Sequence, residues 1–318
     1  MKQGNSRVCL GGEDLDWCGG KSIQLPIKLR TTSKFSPNKN FQSSVWIYTK
    51  IREKSYTLKT DIEDIEKWNY EGSFWDYIVA ALNSFRYFTG ILPCGILNIV
   101  SDIPEKSGLC SSASLFMSIF KELGSYYNLH LTSDVIVEMA FYAENKIIGA
   151  TVGKMDYYAS LTESIFLYDS KSDSISEINY SGLSQIIFYV VYSGEMSSSK
   201  RVNKHKLERY LLREEDFLNY IKKANMLVEN FSYDLKNDCS IMTFGNYLER
   251  FQDLMRNYLR VSTSNIDNLI ENLKHFGAVG SKITGCGLGG YIVSVVPKEK
   301  MVYFEENLKR VGVNYIKC

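Results

Sequence analysis

Residues 101–120, SDIPEKSGLCSSASLFMSIF, run from a strand-like stretch through a turn at Pro104 and a Ser/Gly-rich loop into an apolar helix. The first N–H groups of a helix have no partner inside it, and the helix dipole adds partial positive charge there, so that end stabilises anions such as phosphates. Gly108 allows a tight turn and close backbone approach, and Ser111 and Ser112 offer hydroxyls to a phosphate or to Mg²⁺. Serines in this pattern also cap helices with no ligand involved, and the loop lacks the GxxxxGK[ST] arrangement of an ordinary P-loop.

Three further clusters carry reactive types. RVCLGGEDLDWCGG places Glu13, Asp14 and Asp16 between glycine pairs, and such crowded carboxylates need donors, which sugar hydroxyls or a cation supply; a solvated acidic turn is the alternative. AENKIIGATVGKMDYYASL carries Glu144 and then Asp156 after two glycines, an acid suited to accepting or orienting a substrate proton, or else a helix N-cap. FGAVGSKITGCGLGGYIVSVV joins two strand-like runs through Gly285, Gly287, Gly289 and Gly290, which suits close approach to a ligand or a tight β-turn equally.

Composition narrows the partners. Lys and Arg total 37 against 36 Asp and Glu, so no strong net field would hold the chain on nucleic acid or an anionic membrane, and a small molecule is the expected partner. There is no apolar run of about 18 residues and no signal-peptide core, from which a soluble, cytoplasmic protein is expected. Seven scattered cysteines without a CxxC pair read as free thiols. The three histidines, His130, His205 and His275, lack metal-ligand spacing and give little support to a Ser/His/Asp hydrolase.

The elements that must position these residues follow from periodicity. SSVWIYTK and SYTLKT suggest a hairpin, GSFWDYIVAALNSFRYF a helix, GILNIVSDI a strand, and ASLFMSIFKELGSYYNL a strongly apolar helix. SDVIVEMAFYAENKI reads as a helix capped by Ser133 or Asp134. ESIFLYDS, SISEINY and QIIFYVVYSG read as strands, residues 199–276 as helical, and AVGSKITG, GGYIVSVV, a helix from Lys298 and VNYIKC as an alternating end. With the boundary near 184, the chain divides into an N-terminal domain, 1–184, and an α+β C-terminal domain, 185–318.

Taken in order, the four segments resemble the GHMP kinase family, named for galactokinase, homoserine kinase, mevalonate kinase and phosphomevalonate kinase. RVCLGGEDLDWCGG is similar to the galactokinase signature RVNLIGEHTDYxGG, IPEKSGLCSSAS to PxGxGLxSSAS, and GSKITGCGLGG to GxxLTGAGxGG. Glu144, Gly149, Gly153, Met155 and Asp156 match ExxxxGxxxGxMDQ, and the resemblance runs from Arg7 to about Val296. It implies an α+β two-domain fold: an N-terminal mixed sheet with helices, like ribosomal protein S5, and a ferredoxin-like C-terminal domain, with the active site in the cleft between them.

The resemblance also implies roles. ATP would be the phosphoryl donor, its phosphates held by the loop Lys106, Ser107, Gly108, Leu109, Cys110, Ser111, Ser112, Ala113 and Ser114, and by Gly287 and Gly289. Ser112 and Glu144 would coordinate Mg²⁺, Asp156 would face the attacking hydroxyl, and Arg7 would keep Asp156 ionised. Glu13, Asp14, Asp16, Gly153, Asp156 and Gly285 would contact the substrate, a sugar or other polyol. The acidic triplet would repel a carboxylate-bearing substrate such as mevalonate, which favours neutral polyols over a non-sugar alcohol kinase. The intact set of Arg7, Ser112, Glu144 and Asp156 argues against the third reading, a non-catalytic sugar and ATP sensor. Oligomeric state, monomer or homodimer, stays open.

The chain departs from the pattern at Asp14 for histidine, Tyr157 for glutamine and Lys106 for glycine. Cys110 and Cys286 stand where small residues are usual and read as packing groups. Trp68, Phe74, Trp75 and Tyr77 read as core packing, with an adenine pocket as the alternative.

Overall fold

The computed structural model describes residues 1–37, 43–104 and 107–318. In chain order, the first elements are strands Lys2–Gly11 (β1), Lys21–Pro37 (β2), Ser44–Ile51 (β3) and Lys54–Asp61 (β4), then helices Ile62–Glu66 (α1) and Phe74–Thr89 (α2). Strand Gly95–Ser101 (β5) and helices Ser111–Tyr126 (α3), Ser133–Phe141 (α4) and Met155–Ala159 (α5) follow. Strands Phe166–Asp169 (β6), Ser174–Glu177 (β7) and Ile186–Tyr192 (β8) come next. Helices Ser199–Leu211 (α6), Glu215–Lys236 (α7), Ile241–Leu254 (α8) and Ser264–His275 (α9) lead to strands Gly280–Thr284 (β9) and Tyr291–Pro297 (β10), helix Met301–Arg310 (α10) and strand Tyr315–Lys317 (β11).

Two compact units emerge, and neither is continuous in sequence. The first holds Met1–Arg7, Lys28–Glu105 and Cys110–Thr162; the second holds Val8–Ile27, Lys106–Leu109 and Glu163–Cys318. This division differs from a single cut at 184, and pairing supplies the reason. Residues Lys21–Gln24 of β2 are zipped antiparallel to β6, which carries the start of β2 into the second unit.

In the first unit, β3 pairs antiparallel with β4 and parallel with β5, and β5 pairs antiparallel with the Thr31–Pro37 stretch of β2. The alternation of Val45, Ile47 and Leu97, Ile99 turns apolar side chains to one face, where each is buried. Helix α2 begins at a reciprocal cap between Ser73 and Asp76 and ends at Gly90, which takes the left-handed conformation. Helix α3 buries Phe116 and Phe120, stacked at 6.1 Å, and each such side chain contributes on the order of 1.5–3 kcal/mol of burial. Helix α4 is capped by Thr132, whose hydroxyl accepts from Val135 N–H, rather than by Ser133 or Asp134. It does not stop at Phe141 but widens into a π-helical turn, Tyr142–Ile147, a device that reorients one side chain within a helix.

In the second unit, β11-β8-β10-β9 form an antiparallel sheet of four. Strand β10 is buried at every position, and α8, α9 and α10 pack against this sheet. The helix expected from Lys298 opens with one 3-10 turn before α10. No helix among the described residues is long and apolar enough to cross a membrane.

Candidate active site

In the first unit, β1 delivers Arg7 to Asp156 on α5. Arg7 is 3% exposed, and its guanidinium grips the carboxylate with Nε to Oδ1 at 2.9 Å and Nη2 to Oδ1 and Oδ2 at 2.7 and 2.8 Å. Such a planar fork fixes the carboxylate's orientation. Asp156 keeps 28% of its side chain exposed, so it faces outward while Arg7 holds it from behind. It is the second residue of α5 and makes no cap, which removes the N-cap alternative.

Asp156 sits next to the start of α3. Cys110 precedes that helix with φ at 63°, and its buried thiol lies 3.3 Å from the Asp156 carbonyl oxygen and 3.4 Å from Ser160 Oγ. Burial pushes the thiol up, so Cys110 stays a neutral packing group. No side chain caps α3, which leaves its first N–H groups to an anion.

Ser112 and Glu144 form the second pair in this unit. Glu144 sits in the π turn at 7% exposure, accepts a 2.7 Å bond from Tyr157 Oη and is hydrogen-bonded by Ser112. Burial pushes its carboxyl up from 4.5 to about 7, the nearby Asp156 charge adds to this, and the two hydrogen bonds oppose it. A carboxyl in this state is stabilised as an anion by a cation. A serine hydroxyl and one carboxylate are hard oxygen ligands of the number Mg²⁺ takes from protein when phosphates and water supply the rest, so the pair fits that ion. Tyr157 therefore does not merely replace a glutamine; it is 1% exposed and anchors Glu144.

Other loop residues are committed elsewhere. Ser114 is fully buried, donates to Gly4 O at 2.7 Å and accepts from Thr31 N–H at 3.1 Å, so its hydroxyl ties α3 to β1 and β2 rather than meeting ATP. A Cβ at Gly4 would stand 2.2 Å from the Ser114 carbonyl oxygen, which shows how closely the strand passes the helix. Ala113 is buried in the core, Ser111 is half-buried, and Gly153 is half-buried in the loop before α5. The Trp68 indole donates to Asp76 Oδ1 at 3.0 Å, and Phe74 and Trp75 pack edge to face at 5.4 Å.

The second unit holds the other predicted residues. Lys106 lies outside the described residues. Ser107 and Leu109 are fully buried, with Ser107 Oγ 3.3 Å from Leu109 N. Gly108, at φ +72°, and Gly285, at φ +95°, pack backbone on backbone: a Cβ on Gly108 would come within 2.7 Å of Thr284 O, and one on Gly285 within 2.8 Å of Gly108 Cα. Gly287 and Gly289 are likewise confined, by Val261 and by the Glu195–Met196 backbone. Glycine is thus required at these positions by packing within the unit.

The acidic turn is not a free cluster of carboxylates. Glu13, 2% exposed, is ion-paired with Lys282 of β9, which is fully buried and also donates to Cys9 O at 3.1 Å and Ile283 O at 2.6 Å. Asp14, with φ at 66°, takes Lys206 of α6 on Oδ2 at 2.5 Å and the Trp17 indole on Oδ1 at 3.3 Å. Each Asp14 oxygen already holds one donor, which corrects the picture of a turn of unpaired carboxylates, while each oxygen keeps a lone pair for a second donor. The expected repulsion of anionic substrates is corrected too, because two buried ammonium groups offset two of the three carboxylates. Asp16 is half-buried. Lys282 had a sequence signal, the single cation in the strand-like run AVGSKITG; Lys206 had none, lying in a helix crowded with cations.

Comparison with known proteins bears on the family and the fold. The family model for the GHMP kinases N terminal domain matches residues 76–164, and that for the GHMP kinases C terminal matches residues 239–313, one on either side of residue 184. The chain belongs to the GHMP kinase family. Members are phosphotransferases with alcohol acceptors that use ATP as donor. This GHMP kinase is 26% identical to a galactokinase of Thermococcus kodakarensis over 92% of its own length and 88% of that protein's. It is 24% identical to a mevalonate kinase of Methanocaldococcus jannaschii over 98% and 97%. In fold it is similar to Lactococcus lactis galactokinase solved with galactose, at a TM-score of 0.81, 17% identity and coverage of 99% of this chain and 92% of that one.

Proposed function

We propose that this GHMP kinase transfers the γ-phosphoryl group of ATP to a hydroxyl of a small neutral polyol, with monosaccharides as the leading class. The observation that carries the reading is the forked Arg7–Asp156 pair, set beside the uncapped start of α3 and the Ser112–Glu144 pair in one unit. Asp156 accepts or orients the proton of the attacking hydroxyl. Arg7 holds that carboxylate in a fixed orientation and opposes negative charge on the transferring group. The N–H groups at the start of α3 bind phosphate oxygens. Ser112 and Glu144 would hold Mg²⁺, which when bound neutralises phosphate charge. Transfer is direct, so positioning and electrostatics supply most of the rate. The acceptor oxygen bonds to phosphorus as the bond to ADP breaks, and the acceptor's proton passes to Asp156.

The similarity of RVCLGGEDLDWCGG and of the segment from Glu144 to Asp156 to galactokinase patterns supports a sugar. A second reading, an acceptor of mevalonate type, is favoured by the mevalonate kinase that aligns with 98% of this chain and by the lysines that offset the acidic turn. The test is ADP release from Mg·ATP in the presence of hexoses, pentoses, uronic acids, linear polyols and mevalonate. Release with a sugar or polyol is expected; release with mevalonate alone would replace the leading reading with the second.

A further inference from the structure

The second unit contains a cavity of about 390 Å³ between α9, the end of β8 and the turn that joins α10 to β11. All of its lining residues belong to that unit, and none is a candidate ATP, metal or acceptor residue. Four asparagines line it, Asn265, Asn268 and Asn272 on α9 and Asn314 before β11, whereas no charged side chain does among the described residues. In a chain that is 23% charged, such a wall offers hydrogen bonds in place of ion pairs.

The three α9 asparagines follow one another at spacings of three and four, so they share one helix face over about 10 Å. Their amides differ from others on the helices of this protein. Asn225, Asn237 and Asn307 fold back and donate Nδ2 to the carbonyl four residues earlier, at 3.0, 2.8 and 2.7 Å. The side chains of Asn268 and Asn272 make no such bond, nor any other among the described residues, and line the cavity instead. Asp267 turns away from it, to Arg256 Nε at 2.9 Å and Ser262 Oγ at 2.6 Å.

The walls are tied in place within the unit. Asn265 Nδ2 donates to Ser193 O at 2.7 Å, and Tyr192 N–H donates to Asn314 O at 2.8 Å. The Tyr192 ring packs on Tyr291 with centroids 5.3 Å apart, and Phe276 contributes a second, largely buried ring. A preformed cavity with apolar ring surface and a few fixed amides binds a small ligand without the cost of ordering its own walls.

We infer that this cavity is a second, non-catalytic binding site for an uncharged ring compound carrying several groups that donate and accept hydrogen bonds. A free sugar and a nucleoside share that chemistry. Each asparagine amide sets a carbonyl acceptor beside an N–H₂ donor, which matches a pair of vicinal hydroxyls or the donor–acceptor face of a base. A phosphate or carboxylate finds no cation in the wall to offset its loss of water. Ser193 N–H donates to Gly290 O and Gly290 N–H to Glu195 O, both at 2.9 Å, so a ligand that steadies this wall also steadies Gly290.

The experiment is amide hydrogen exchange, read by mass spectrometry, on the wild type and on the double variant Asn268→Leu/Asn272→Leu. One arm uses millimolar free hexoses and pentoses, a second adenosine, cytidine and uridine, and a third uronic acids and nucleoside monophosphates. Leucine keeps the side-chain size and favours the helix, so the double variant keeps its melting temperature, kcat and both KM values. Slowed exchange over residues 265–272 and in the peptide containing Gly290 is expected with a member of the first or second arm, and the arm names the source. The double variant weakens that member's binding by about 10-fold or more, through loss of two amide partners. No protection of residues 265–272 by any neutral member, or equal protection in the double variant, overturns the site. Tighter binding of the anionic members overturns the uncharged class. The kinase reading does not depend on either result, because the cavity holds none of its residues.

Discussion

Arg7 grips Asp156 through three N–H contacts of 2.7–2.9 Å, yet only Asp156 remains accessible, with 28% of its side chain exposed against 4% for Arg7. The arginine is therefore a fixed positive backing and the aspartate the group that meets a ligand. Lysine in its place would keep the charge but lose the fork that sets the carboxylate plane. Arg7→Lys should lower kcat by about 100-fold with nucleotide affinity changed only a few-fold, measured by steady-state kinetics and by titration with a nonhydrolysable ATP analogue.

Ser112 and Ser114 lie on the same helix two residues apart, about 200° around its axis, and so serve different ends. Ser114→Ala should cost about 1–2 kcal/mol in urea unfolding and leave kcat near wild type, because it strands Gly4 O and Thr31 N–H. Ser112→Ala should leave stability within about 0.5 kcal/mol and weaken turnover, with the loss partly offset by raising Mg²⁺.

The ion pair of Glu13 and Lys282 is buried on both sides, so its members stand or fall together. Lys282→Met should destabilise by about 3–5 kcal/mol by leaving Glu13 charged and unpaired, and adding Glu13→Gln should restore most of that loss. Urea unfolding of the two single variants and the double variant measures the coupling.

Glu144 makes stability depend on pH in a direction opposite to that of a salt-bridged carboxylate. Its carboxyl is raised from 4.5 to about 7 in the folded protein, chiefly by burial, so between those values the folded state holds a proton that the unfolded state has released. Stability from this group is present below about pH 4.5 and is lost as pH rises to about 7. In the nucleotide-free, Mg²⁺-free protein, wild type minus Glu144→Gln should therefore fall steadily in unfolding free energy across pH 5, 6 and 7.

The elements were legible wherever periodicity was strong. The apolar spacing of α2 and α3 and the β-branched runs of β8 and β10 gave their types, because burial of one face or of both leaves a pattern in the sequence. Arg7, Ser112, Glu144 and Asp156 were legible through their motifs, and the structure brings these four together in one unit. Long-range partners were not legible. That Asp14 meets Lys206 depends on where α6 lies, and Lys200, Arg201 and Lys204 on that helix are indistinguishable from Lys206 by type. The glycines near residues 108 and 285 were read for ligand approach, but each loop needs glycine first to clear the other. The extension of α4 into a π turn, which brings Glu144 to Tyr157, has no composition signal.

The central claim, that Asp156 is the group that handles the acceptor's proton, is tested most directly by Asp156→Asn, which keeps size and polarity but cannot accept a proton from the attacking hydroxyl. Single-turnover phosphoryl transfer with the acceptor found in the ADP-release screen, alongside direct titration with a nonhydrolysable ATP analogue, separates chemistry from binding. A fall of about 1,000-fold or more in the transfer rate is expected, with nucleotide affinity within about 3-fold of wild type. Transfer at near the wild-type rate by a folded Asp156→Asn protein would contradict the claim.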